Sequence, residues 1–267
     1  MKHRVVVLAL LAGVLVLGRL GPADLLDGLL AGPESSSTTG ATEGTYRPSK
    51  LGDLQQLLDQ VQVVPTRPDI AGYDLECGLA RACSFGPDWS DDTSAALSHN
   101  GCDTRNDMLA RSMTRLVFRA DTNDCVVIAG LLHDPYTGEQ IEFRKEDAWE
   151  VGIDHLVPRA RAWDLGAWRW TAEKRAAFSN DPANLVAVSG RANSSKSDRG
   201  PGEWLPINAS YRCTYIARYL AVSIAYELPI TRTDHRAARL LAAQCTPRAA
   251  TSGAAEFVQS EPSRRRR

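Results

Sequence analysis

The sequence predicts an α+β domain held together by disulfides. Three observations support this. A β-branched run at 125–132 is followed by turn residues and by an alternating segment at 140–144, which together read as a β-hairpin. Several stretches repeat apolar residues at helical spacing. There are six cysteines, and in an exported chain cysteines read as disulfides. Sequence alone leaves their pairing open. Zinc is the disfavoured alternative, because no Cys-x-x-Cys pair exists and the histidines do not sit at ligand spacing from cysteines.

From the N-terminus, Lys2-His3-Arg4 precedes an apolar run from Val5 to Leu17. That is the charge and length pattern of a signal peptide, and it is short for a membrane span. Residues 1–31 are expected to be a signal peptide or, extended by Leu25 to Leu30, an N-terminal anchor. Residues 32–48, rich in Ser, Thr and Gly, read as a flexible linker. Residues 49–247 form the expected domain. Residues 248–267 read as a disordered basic tail ending in four arginines.

Within the domain, Leu51, Leu54, Leu57, Leu58 and Val61 predict an amphipathic helix over 51–64. Residues 73–102, rich in Gly, Asp and Ser, predict irregular structure. Met108, Leu109 and Met113 predict a helix over 104–117. The strand at 125–132 runs into Asp134-Pro135-Tyr136-Thr137-Gly138, where Pro presets φ and Gly accepts a positive φ. Residues 150–155 are extended and stop at Pro158. Helices are expected over 160–168 and 171–178, a short apolar strand over 185–188, and a polar helix over 191–198. Amphipathic helices are expected over 211–226 and 233–243.

A net charge of −1 makes no global case for binding nucleic acid, but basic residues outnumber acidic ones between 159 and 199, and a local field of that kind attracts phosphate. In the same region Asp154 stands beside His155. Asn184 then opens the apolar strand, and Asn193 lies in the polar helix with Lys196 and Asp198. Asp154 and Asn193 are hard oxygen donors suited to Mg²⁺, and His155 is a base that titrates near neutrality. Other roles exist for each: a buried structural histidine, a turn residue at Asn184, a helix cap at Asn193.

The segments Asp154-His155-Leu156-Val157-Pro158, Asn184-Leu185-Val186-Ala187-Val188 and Asn193-Ser194-Ser195-Lys196-Ser197-Asp198 resemble the HNH (ββα-metal) nuclease family, in the variant ending in asparagine. A wider stretch, 73–245, is similar to the secreted HNH-type proteins of bacteria, through the segments around Gly101-Cys102-Asp103-Thr104-Arg105, Glu203-Trp204-Leu205-Pro206 and Tyr211-Arg212-Cys213. The resemblance implies an HNH core at about 150–200, with strand, loop, strand and helix bringing His155 opposite Asn193 across a metal.

By the same resemblance His155 is the general base and Asn184 orients it. Asp154 and Asn193 hold Mg²⁺, or Mn²⁺, and Arg105 and Lys196 contact substrate phosphate. The implied disulfides, which local spacing also favours, are Cys77–Cys83, Cys102–Cys125 and Cys213–Cys245. The implied function is an exported, metal-dependent endonuclease of low sequence specificity, acting on DNA rather than RNA, either extracellular or anchored outside the cytoplasmic membrane. The alternative is a non-catalytic surface protein of the same fold that binds nucleic acid or another anionic polymer.

Overall fold

The hairpin at 127–144 is as the turn chemistry requires. In the computed structural model, which describes residues 54–74 and 83–245, strand β3 (Val127–His133) pairs antiparallel with β4 (Gln140–Arg144). The Asp134 side chain accepts from the Tyr136 backbone NH and the Thr137 hydroxyl, and Gly138 takes a φ of +82°. That local turn drives Tyr136 into the interior, where it is completely buried. The other edge of β3 pairs with β2 (Met113–Phe118).

Here the expected helix over 104–117 is corrected. Helix α2 (Thr104–Ser112) is N-capped by Asp103, which accepts from the Asn106 backbone NH, and it ends where Met113 enters the sheet opposite Leu132. Pairing with a neighbouring strand outweighs the helical spacing of Met113. The predicted helix over 51–64 is also shorter. Helix α1 spans Leu54–Gln60, and β1 (Val63–Val64) instead pairs parallel with β7 (Ile230–Thr231). Residues 51–53 lie outside the described residues, as do the expected leader, linker and tail and Cys77.

The centre of the domain is a second two-stranded sheet. Strand β5 (Val151–His155) pairs antiparallel with β6 (Leu185–Ser189), placing His155 opposite Leu185 and Asp154 opposite Val186. Between them run α3 (Arg159–Asp164) and α4 (Ala172–Asn180), the latter capped by the Thr171 side chain on the Lys174 NH. Helix α5 (Gly190–Lys196) follows β6 directly and packs back over the sheet. The close approach demands glycine: a Cβ on Gly190 would stand 1.9 Å from the Trp149 carbonyl oxygen, and one on Gly152 would stand 2.7 Å from Asn193 Nδ2.

This sheet divides two cores. Val151, Ile153, Leu185 and Ala187 join one with Met108, Leu132 and Phe143. Val186 and Val188 join the other with Tyr136, Phe178 and helix α6 (Arg212–Ala225). Being covered on both faces, β6 is apolar without alternation. Helix α7 (Arg232–Ala242), with a full capping box from Thr231 and Asp234, closes the second core. Disulfides Cys102–Cys125 and Cys213–Cys245 tie the start of α2 to the approach to β3 and the start of α6 to the end of α7. Cys83 is also disulfide-bonded. No helix of the described residues is long and apolar enough to cross a membrane.

Candidate active site on strand β5

Adjacent residues of a strand face opposite sides of the sheet. Asp154 therefore joins Gly152 on the face under α5, and His155 joins Val151 and Ile153 on the other. The expectation that His155 faces Asn193 across a metal is thereby corrected: the pleat separates them.

On the α5 face, Asp154 is buried in a closed network. Its Oδ2 accepts from the Tyr136 hydroxyl at 2.5 Å, and the Lys196 ammonium lies 3.0 Å from both carboxylate oxygens. Lys196 Nζ also donates to the His155 carbonyl at 2.8 Å. Lys196 is fully buried, so its partners must replace the water it has lost. Burial raises the Asp154 carboxyl and lowers the Lys196 ammonium, and their mutual attraction opposes both shifts. The Tyr136 phenol is pushed well up by burial and by the neighbouring carboxylate, so it stays a donor.

On the opposite face, His155 is 9% exposed and its ring is stacked on Trp89, with centroids 6.0 Å apart and an interplanar angle of 19°. Nε2 lies 2.9 Å from the Ser179 carbonyl oxygen. A carbonyl only accepts, so Nε2 carries the hydrogen and Nδ1 keeps its lone pair. Burial, reinforced by the charge of Arg159, pushes the imidazole down to about 3, so the ring is neutral under physiological conditions. The expectation of a base that titrates near neutrality is thereby corrected: burial leaves a neutral ring with a fixed tautomer, which keeps an acceptor at Nδ1 but is a weaker base than a free imidazole.

Asn184 holds the chain that leaves His155. Its buried amide accepts from the Val157 NH at 2.9 Å and donates to the Val157 carbonyl at 3.3 Å, while its backbone carbonyl takes the Leu156 NH. Arg218, which the sequence did not mark, donates to the carbonyls of Pro182, Ala183 and Leu185 and so braces the same loop from α6. Asn193 lies inside α5, whose cap is Ser189, so capping is not its role. Its half-buried amide packs on Gly152 and makes no side-chain hydrogen bond within the described residues.

Asp154 and Asn193 thus share one strand face, and a carboxylate plus an amide oxygen suit a hard divalent ion. The donor types fit. The ion and the Lys196 ammonium, however, compete for one carboxylate. Among the described residues no cluster of three or more His, Cys, Asp or Glu is placed to hold a metal.

The two expected phosphate cations serve other purposes, and both expectations are corrected. Arg105 donates to the carbonyls of Ala148 at 3.2 Å and Val151 at 2.9 Å, bracing the entry to β5. Lys196 is sealed against Asp154. Asp198 pairs with Arg67 at 2.8 Å, and Arg67 also binds Asp164. The residues that sequence reasoning missed are Tyr136, Trp89 and Arg159. Tyr136 carried a signal as the hydrophobic member of the Asp134–Gly138 turn. Arg159 follows Pro158 directly and pairs with Asp88.

Residues 103–241 match the family model described as GmrSD restriction endonucleases, C-terminal domain. A relative from Arthroderma benhamiae, described as an uncharacterized secreted protein, is 36% identical over 138 residues. That match covers 51% of this chain and 64% of the relative, so the chain spans less than two thirds of the protein it resembles. No solved structure matches.

Proposed function

The chain belongs to the family of GmrSD restriction endonuclease C-terminal domains, and from that premise we propose that it is an exported endonuclease with an HNH-type ββα unit, hydrolysing phosphodiester bonds with His155 as general base. The observation that carries the reading is the hydrogen bond from His155 Nε2 to the Ser179 carbonyl. It leaves Nδ1 as a fixed acceptor for the proton of an attacking water. Asn184 keeps the strand end, and with it the imidazole, in place. Asp154 and Asn193 are the residues that would hold Mg²⁺ or Mn²⁺. That pair lies across the pleat from the imidazole, and an ion held there would supply Lewis-acid charge relief to a phosphate reaching that face. A site that addresses phosphate and water discriminates bases weakly, which supports low sequence specificity, with DNA as the expected substrate. Export is supported by the disulfides and by the secreted description of the relative.

One observation favours a second reading. The Asp154–Lys196 pair closes the carboxylate without any ion, as it would in a non-catalytic protein that binds an anionic polymer. The deciding experiment is cleavage of plasmid DNA by oxidised protein, in Mg²⁺, Mn²⁺ or EDTA, beside folded His155→Ala. The nuclease reading expects cutting that EDTA stops and that falls at least ~100-fold in the variant. Salt-sensitive binding with no cleavage of DNA or RNA would establish the binder instead.

A further inference from the structure

Two adjacent residues of the 83–102 segment, Asp88 and Trp89, lie on two functional groups separated by one turn of chain. Trp89 stacks on the His155 ring. The Asp88 carboxylate receives a hydrogen bond from Nη1 of Arg159, the first residue of α3. Asp88 is half-exposed, whereas the Arg159 side chain is only 16% exposed. The cation is therefore built into the domain and the anion is presented to it from outside. Among the described residues no other hydrogen bond or ion pair engages the Arg159 guanidinium, unlike Arg105, Lys196 and Arg67, which are tied to interior partners.

We propose that Arg159 is the phosphate-binding cation of this site and that the Asp88 carboxylate is a surrogate anion which substrate phosphate displaces. The assignment rests on the nuclease reading above and specifies its substrate contact. A guanidinium offers paired donors that match either a carboxylate or a phosphodiester. The present pair is partly solvent-exposed, so it is weak enough to exchange. A phosphate on Arg159 would lie beside the His155 ring, since Asp88 and Trp89 are neighbours in the chain and touch the two residues in turn.

The test is fluorescence anisotropy of a short labelled DNA oligonucleotide, with the full oxidised chain in EDTA, where cleavage does not interfere. Removing the competing carboxylate with Asp88→Asn should tighten binding about fivefold, the scale of a partly exposed ion pair. Asp92→Asn removes the same charge from the same segment away from Arg159 and should leave binding unchanged. Arg159→Gln should weaken binding about tenfold and lower the slope of log affinity against log salt by roughly 0.7 to 0.9, as for one lost phosphate contact. In the double variant Asp88→Asn should have no further effect, because its gain acts through Arg159. Equal gains from Asp88→Asn and Asp92→Asn, or unchanged binding and salt slope in Arg159→Gln, would overturn the assignment while wild-type cleavage still upheld the nuclease. Wild-type protein that neither binds nor cleaves nucleic acid would overturn both. Asp88→Asn decides the matter even if Arg159→Gln fails to fold.

Discussion

The two faces of β5 handle a buried polar group in opposite ways. On one face Asp154 is neutralised by an ammonium and a phenol, and each of its oxygens has a partner. On the other, His155 is kept neutral by burial, one ring nitrogen is fixed on a carbonyl, and an aromatic ring covers it. The first arrangement gives rigidity, since a buried charge left without its partner is costly. The second leaves a lone pair available. One strand therefore carries both a structural clamp and a histidine with an open ring nitrogen, and the clamp reaches the histidine through the bond from Lys196 to the His155 carbonyl.

Breaking the clamp should have the largest effect. Lys196→Ala leaves Asp154 buried and unpaired and is expected to lower stability by about 3–5 kcal/mol, read by urea unfolding. The double variant Asp154→Leu with Lys196→Met should be more stable than Lys196→Ala. A Lys196→Ala protein as stable as wild type would show that the clamp is not structural.

Acid should next reveal the other face. The imidazole titrates at about 3 in the folded chain against an ordinary 6.5. Between those values the unfolded chain binds the extra proton, so this group's stabilisation is present above pH 6.5 and is lost as pH falls toward 3. Its slope approaches about 1.4 kcal/mol per pH unit within that window. Wild type minus His155→Gln should show that slope below pH 6.5 and none above. A difference flat across the whole range would mean that the ring is not held neutral.

The smallest effect should come from the aromatic cover. Trp89→Ala is expected to cost about 1 kcal/mol and to raise the His155 titration toward its ordinary value, followed by proton NMR of the ring. An unmoved titration with an intact fold would assign the desolvation to the rest of the core.

Local chemistry was legible where it is self-contained. The hairpin could be read from Asp134, Pro135 and Gly138, and the α4 cap from Thr171. The shortness of β6 followed from a brief, unbroken apolar run. Met113 was misread because its spacing suits a helix, while its partner Leu132 is supplied by another strand. Val63 and Val64 were misread in the same way, because Ile230 and Thr231 come from the far end of the domain. At the site, Asp154, His155, Asn184 and Asn193 were visible as residue types. The sealing of Lys196, the bracing role of Arg105 and the Asp88–Arg159 pair were not.

By itself the sequence determined the α+β character, the turn, the strand that carries Asp154 and His155, and the helix that carries Asn193 and Lys196. These rest on periodicity and on short-range backbone chemistry, which need no distant partner. Only the tertiary structure decided which side of the sheet each group serves. It set Asp154 against Lys196 and Tyr136, His155 against Ser179 and Trp89, and Arg159 against Asp88. The physical reason is that a strand sends neighbouring side chains to opposite faces, and what awaits them there is assembled from segments remote in the chain.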